Sequence, residues 1–280
     1  MLAEMVAEMA TAIGREAEAE QLYTRSHALK AAFAKKLLKP DGTILNSSQT
    51  GFALAFTTGC IPGGMKKKSA DQFVADIQKR NWHLATGFIG TPRLLPALGL
   101  ANRDDAAYKL LLQLAYPSWL FQVKTGRSTT MWERWDGWTP NNGFESIGMN
   151  SFNHYAFGSV GQYLYQNIGG ITTEGAGYKQ INIRPTPGKG VFWAKCSYDS
   201  IRGSIGSSWR RTGQHLMVDV NVPPNTTATV YVPTALGQDV TVTQGAEHAK
   251  LLSSRESFGA AMQRVMFSVP SGRYTFKSQV

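Results

Sequence analysis

The apolar residues of this chain change their period near residue 170, and that change decides what it can build. Upstream, they return every three or four positions, as in Leu22, Ser26, Leu29, Phe33 and Leu37. Downstream they alternate, as in His215-Leu-Met-Val-Asp-Val-Asn-Val222. Residues three and four apart share a helix face, whereas residues two apart share a strand face. One chain carrying both patterns in separate blocks predicts a helical domain followed by a sheet domain, with the boundary in the glycine-rich linker from Gly169-Gly170 to Gly175-Ala-Gly177.

The first block, residues 1–170, reads as helix after helix with brief loops. An Ala-rich run from Met1 is broken by Gly14, resumes, and stops at Pro40-Asp-Gly42. Further helices are expected over 49–58, over 69–79 with Ser69 as N-cap, over 91–98, and over 102–114 with Asp104 and Asp105 favouring the positive end of the first turn. A last helix is expected over 151–167. Short connections between helices imply antiparallel pairs.

The second block, residues 171–280, carries six or more short alternating segments. They begin at Tyr178, Val191, Gly203, His215, Thr227 and Val265, and Gly, Pro and Asn separate them. That grammar predicts an antiparallel β-sandwich. Its carboxylates, among them Asp199, Asp219, Asp239, Glu247 and Glu256, are scattered, so the domain is expected to brace the helical block rather than to do chemistry.

Charge and cysteine usage narrow the function classes. The formal net charge is +10, but apart from Lys66-Lys67-Lys68 the basic residues are dispersed among Asp and Glu, so no nucleic-acid footprint is formed. Cys60 and Cys196 fall in different domains and outside any metal or redox spacing, which predicts unpaired structural thiols and no metal or cofactor. No apolar stretch is long enough to span a membrane. Met1 to Ala12 carries Glu4 and Glu8 where a signal peptide would be basic and then apolar. It reads as the middle of a helix, an expectation that suits a chain starting inside a larger protein.

Residues 116–150 interrupt the helical pattern with Trp119, Trp132, Trp135 and Trp138 among several Gly and Pro. A long aromatic loop inside a helical domain is more often functional than structural. Its chemical centre is Gly126-Arg-Ser-Thr-Thr-Met-Trp-Glu-Arg-Trp-Asp-Gly-Trp138. Indole walls raise a carboxyl pKa and a neighbouring guanidinium lowers it, so Glu133 is placed for acid or base work. The plainer alternative is a structural ion pair of Glu133 with Arg134 or Arg127.

Trp132-Glu-Arg-Trp-Asp-Gly, His83-Leu-Ala-Thr-Gly-Phe-Ile-Gly-Thr-Pro-Arg-Leu-Leu before it and Gly148-Met-Asn-Ser-Phe-Asn-His-Tyr-Ala-Phe-Gly-Ser-Val160 after it resemble the bacterial α-L-rhamnosidases. Ile181-Asn-Ile-Arg-Pro and Tyr198-Asp-Ser-Ile-Arg-Gly resemble the C-terminal sandwich of the same family. The resemblance implies a partial (α/α)6 six-hairpin toroid followed by an antiparallel β-sandwich, and an inverting glycosidase that releases terminal α-L-rhamnose. It implies that Glu133 is the general base and that His154 hydrogen-bonds the sugar. Trp132, Trp135 and Trp138, with Arg134, would line the substrate pocket. Trp119 is expected in the core; His83 as a structural or capping residue, with a supporting place behind the sugar site as the alternative; and Asp136 as a group that orients an Arg or touches sugar, against the plainer reading of a surface or supporting residue.

The chain also departs from the family. An inverting glycosidase needs two carboxyl groups about 6.5–9.5 Å apart, one protonating the leaving oxygen and one activating water. Nothing here resembles the family's acid motif, and only about seven helices are legible. The expectation is therefore a C-terminal part, carrying the base without the acid. Its partners would be a rhamnose-containing glycoside or polysaccharide and the missing N-terminal part of the same protein. Helix faces such as that of Leu22, Leu29, Phe33 and Leu37 would lack part of their packing. Two rival readings stand beside it: a non-catalytic carbohydrate-binding or assembly protein of this fold, and a different six-hairpin glycosidase acting on glucosides or uronides.

Overall fold

A computed structural model describes residues 1–149, 151–258 and 261–280; Asn150, which falls in the Gly148–Val160 motif, lies outside the described residues. The chain divides into two compact units, Met1–Phe157 and Gly158–Val280.

The first unit holds α1 (Leu2–Ala12), α2 (Glu16–Leu37), α3 (Gln49–Thr57), α4 (Lys66–Lys79), α5 (Thr91–Leu100), α6 (Asp104–Leu111) and α7 (Trp119–Lys124). α1 packs on α2, α3 on α4 and α5, and α5 on α6. The core is densest around α3 to α6. Phe52 stacks on Phe73 with ring centroids 5.2 Å apart, and Leu94, Leu95, Leu98 and Leu110 are fully buried. Each such side chain contributes about 1.5–3 kcal/mol.

The α1–α2 hairpin is much more thinly packed. Its core is Ala7, Ala10 and Ala19, with Leu22 and Tyr23 against them. The expected stripe on α2 is only partly covered: Ser26 is buried, Leu22 and Phe33 are half-buried, and Leu29 and Leu37 are exposed. On α1, Leu2, Met5 and Met9 are exposed, as is Ile13 just past its end.

Three helix boundaries differ from the sequence reading. α4 starts at Lys66 rather than at a Ser69 cap, and Ser69 is instead buried inside the helix. α6 is shorter than expected, running from Asp104 to Leu111. The expected last helix is broken into Tyr155–Gly158, Val160–Tyr163 and a π-helical turn, Leu164–Ile168. Gly158 and Gly161 fall within this stretch, and glycine holds a helix poorly.

Inside the aromatic loop of the first unit, β1 (Trp138–Thr139) pairs with β2 (Gly143–Phe144). The second unit carries β3 (Ile171–Glu174), β4 (Gln180–Ile183), β5 (Trp193–Ser200), β6 (Gly203–Thr212), β7 (His215–Val222), β8 (Thr227–Ala235), β9 (Thr241–Gln244), β10 (Lys250–Phe258), β11 (Met262–Val269) and β12 (Gly272–Gln279). They form two five-stranded sheets, ordered β10-β11-β8-β4-β3 and β5-β6-β7-β12-β9. The pairings are antiparallel as expected, except that β4 runs parallel to β8. Alternation puts Leu216, Val218, Val220 and Val222 of β7 inside. Phe267 of one sheet and Phe276 of the other meet with centroids 5.0 Å apart.

The glycine linker has a steric reason. Gly170 has φ +76°, and a Cβ there would lie 2.2 Å from the backbone of Arg184 and Pro185, so only glycine lets the chain enter β3 beside β4. Both cysteines are free.

Candidate active site

The aromatic loop begins at α7, which Ser118 caps by accepting the Phe121 N–H at 3.0 Å. Gln122 on this helix is fully buried and serves the loop rather than the helix. Its Oε1 accepts the Trp132 N–H at 3.2 Å, and its Nε2 donates to the Arg134 carbonyl at 3.2 Å. The backbone on either side of Glu133 is thus held by one side chain. Close approach reinforces the grip: a Cβ at Gly126 would stand 2.4 Å from the Trp132 ring, so the loop closes only with glycine there.

Residues 130–133 run alongside 151–154. The His154 N–H donates to the Met131 carbonyl and the Glu133 N–H to the Ser151 carbonyl, each at 2.8 Å, and the Thr130 hydroxyl donates to the Phe152 carbonyl. Two residues that the sequence reading assigned to one site are therefore carried on adjoining segments. The Glu133 carboxylate is half-buried, and its Oε2 accepts the Ser151 N–H at 3.0 Å. Among the described residues Glu133 makes no ion pair, so the alternative of a structural pair with Arg134 or Arg127 is not what forms.

Arg134 is engaged elsewhere. It donates to both carboxylate oxygens of Asp136, at 2.9 and 2.8 Å. This guanidinium holds the Asp136 carboxyl below the usual carboxylate range, and Asp136 in turn raises the Arg134 pKa. The pair orients Arg134 and offsets its charge next to Glu133.

His154 is half-buried, and its Nδ1 accepts the Ala156 N–H at 3.2 Å. A backbone N–H can only donate, so the neutral ring carries its proton on Nε2 and presents a donor there. Tyr155 stacks on the ring with centroids 5.2 Å apart, and the edge of Phe88 lies 5.4 Å away. Phe88 and Tyr155 are both exposed.

The four indoles divide by burial. Trp119 is buried with its Nε1 donating to the Phe157 carbonyl at 3.1 Å, the core position expected for it. Trp132 is buried too, against Gly126 and the edge of Phe152, so its ring is interior packing rather than an open wall. Trp135 and Trp138 keep exposed surface. Trp135 stacks on Phe157 at 4.0 Å and donates to the Thr86 carbonyl at 2.8 Å, which ties this loop to the segment before α5.

His83 has a structural position: its Nδ1 bonds the Arg80 carbonyl at 3.0 Å, and its own carbonyl accepts from buried Gln49 at 2.9 Å. No group of three or more His, Cys, Asp or Glu suited to a metal ion occurs among the described residues.

The sequence reading did not single out Gln122, Phe88 or the Ser151 amide. Gln122 leaves a faint trace as the lone polar residue within Trp119-Leu-Phe-Gln-Val123, and a backbone donor leaves none.

A profile of the bacterial α-L-rhamnosidase 6 hairpin glycosidase domain matches residues 1–168. The chain belongs to the bacterial α-L-rhamnosidase family. The C-terminal domain of bacterial α-L-rhamnosidases matches residues 170–247. An α-L-rhamnosidase of Streptomyces avermitilis is 43% identical over 232 residues, covering 82% of this chain and 22% of that protein. One from Formosa agariphila is 36% identical over 236 residues, covering 83% of this chain and 25% of that protein. The crystal structure of the Streptomyces avermitilis α-L-rhamnosidase complexed with L-rhamnose superimposes with a TM-score of 0.87 at 39% identity, covering 98% of this chain and 26% of that one. The chain thus spans about a quarter of the length of these rhamnosidases.

Proposed function

We propose that this chain supplies the general-base half of an inverting α-L-rhamnosidase active site, with Glu133 as the base. The observation that carries the reading is the Glu133 carboxylate itself, anchored through one oxygen by the Ser151 N–H, without an ion pair among the described residues, and on a segment bonded to that of His154. In the reaction, Oε1 takes a proton from a water as its oxygen attacks the anomeric carbon, while an acid outside this chain protonates the departing oxygen. His154 donates from Nε2 to a sugar hydroxyl. Trp135 and Trp138 offer indole surface to the sugar, Arg134 lies beside them under the control of Asp136, and Trp132 supports the loop from within.

Residues 1–170 are assigned here as part of the six-hairpin domain and residues 171–280 as the C-terminal sandwich, with no cofactor. The acid and the packing for the open face of α1 would come from the rest of a longer polypeptide, a view supported by the quarter-length span of the rhamnosidases it matches. Inversion is tested by proton NMR of the first sugar released from an aryl α-L-rhamnoside by that longer polypeptide. β-L-Rhamnose appearing first is the expected result, and α-L-rhamnose appearing first would refute the mechanism. The isolated chain should bind L-rhamnose and leave the rhamnoside intact.

A further inference from the structure

The second unit contains a cavity of about 390 Å³ that the Glu133 chemistry does not use. Its wall includes Gln162, Tyr165, Gln166, Ile171, Tyr178 and Tyr198. Three different backbone features converge to make it. Tyr165 and Gln166 project from the π-helical turn Leu164–Ile168, a geometry that recurs at functional sites. Tyr178 ends the turn Ala176–Tyr178 at φ +55°, a conformation that strains an aromatic residue and concentrates at ligand sites. Tyr198 comes from β5 and meets Tyr178 with ring centroids 4.8 Å apart.

The chemistry of the lining selects a ligand. Among the described residues it holds no charged side chain, so phosphates, nucleotides and uronates find no counter-charge. Tyr165 and Tyr198 are 46% and 40% exposed, which leaves their rings open to contact. The Gln162 amide donates to Gln166 Oε1 at 3.1 Å, and this turns the Gln166 amide hydrogens and the Gln162 carbonyl toward other partners. A carboxamide donates and accepts at once, as vicinal hydroxyls require. An apolar ring face together with hydroxyls at its rim describes a sugar.

We propose that this pocket binds a neutral pyranose residue of a glycan, with tyrosine rings against the sugar's C–H face and Gln162 and Gln166 on its hydroxyls. The site stands independently of the Glu133 assignment and would hold the chain on a polysaccharide while another residue is processed. A proline-rich peptide also stacks on tyrosines, but it has little use for the amide pair.

The test is saturation-transfer NMR on the 280-residue chain carrying His154→Ala, which weakens the other sugar site, with L-rhamnose and methyl β-D-glucoside as probes. Transfer with a Kd of about 1 mM is expected for at least one of them. Gln166→Ala and Tyr165→Ala, both at exposed positions, should weaken it at least about tenfold while the thermal midpoint stays unchanged. Absence of transfer from both sugars, transfer insensitive to both substitutions, or binding of a proline-rich peptide in place of the sugars would overturn the proposal.

Discussion

Glu133 and Ser151 bind each other twice: the Glu133 N–H donates to the Ser151 carbonyl at 2.8 Å, and the Ser151 N–H donates back to the Glu133 carboxylate at 3.0 Å. A backbone donor cannot rotate away, so this pairing fixes one carboxylate oxygen and leaves the other to act. Fixing matters because an error of about 1 Å in the position of a reacting group can cost on the order of 100-fold in rate.

Gln122 secures the same segment from the other side. Gln122→Leu keeps the volume but leaves the Trp132 N–H without its acceptor and the Arg134 carbonyl with only the Gly137 N–H, at 3.4 Å. Leaving a buried polar group unsatisfied costs about 1–3 kcal/mol. Denaturant titration should show a loss of about 1–3 kcal/mol in the helical unit. Unchanged stability would mean that the loop holds itself.

His154 should reveal itself in binding rather than in proton transfer. In a polypeptide that carries the remaining helices, His154→Ala removes one hydrogen bond to the sugar, worth about 0.5–1.5 kcal/mol, so KM should rise roughly two- to tenfold with kcat little changed. A fall in kcat at constant KM would assign the ring to the chemical step.

Asp136 gives a pH dependence whose sign is fixed. Its carboxyl lies below the usual range because Arg134 donates to it, so the folded state binds fewer protons there than the unfolded chain. The pair therefore stabilises the fold above about pH 4, the unfolded Asp value, and that contribution disappears as the pH falls through the lower folded value. Arg134 and Asp136 are 40% and 33% exposed, so solvent screening keeps the effect small. Asp136→Asn should lower the melting temperature slightly at pH 6, and the difference should shrink as the solution is acidified. A larger loss at the acid end would reverse the argument.

How far the sequence disclosed this structure depended on whether the signal was local. The alternation in β7 and the stripes of α4 and α5 are visible because one face of each is buried against a core. β10, reading Lys-Leu-Leu-Ser-Ser-Arg-Glu-Ser-Phe, was not visible, because it is an edge strand whose register shifts between Leu251 and Arg255. β12 was missed although Tyr274 and Phe276 alternate, since its eight residues follow closely on β11 at Ser271. The first expected strand began at Tyr178, which instead closes a turn at positive φ. In the candidate site, Glu133 and His154 stand in motifs that the sequence displays. Gln122 and Phe88 act across sequence separations that no single segment records, and Trp132 could be sorted from Trp135 only by burial.

The kcat of Glu133→Gln bears most directly on the whole account, measured on an aryl α-L-rhamnoside in a polypeptide that joins this chain to the rest of the toroid. The substitution keeps the shape and the bond to Ser151 but removes the basicity. kcat should fall by on the order of 10²–10⁴ with KM nearly unchanged. A wild-type kcat in Glu133→Gln would contradict the assignment of Glu133 as the base.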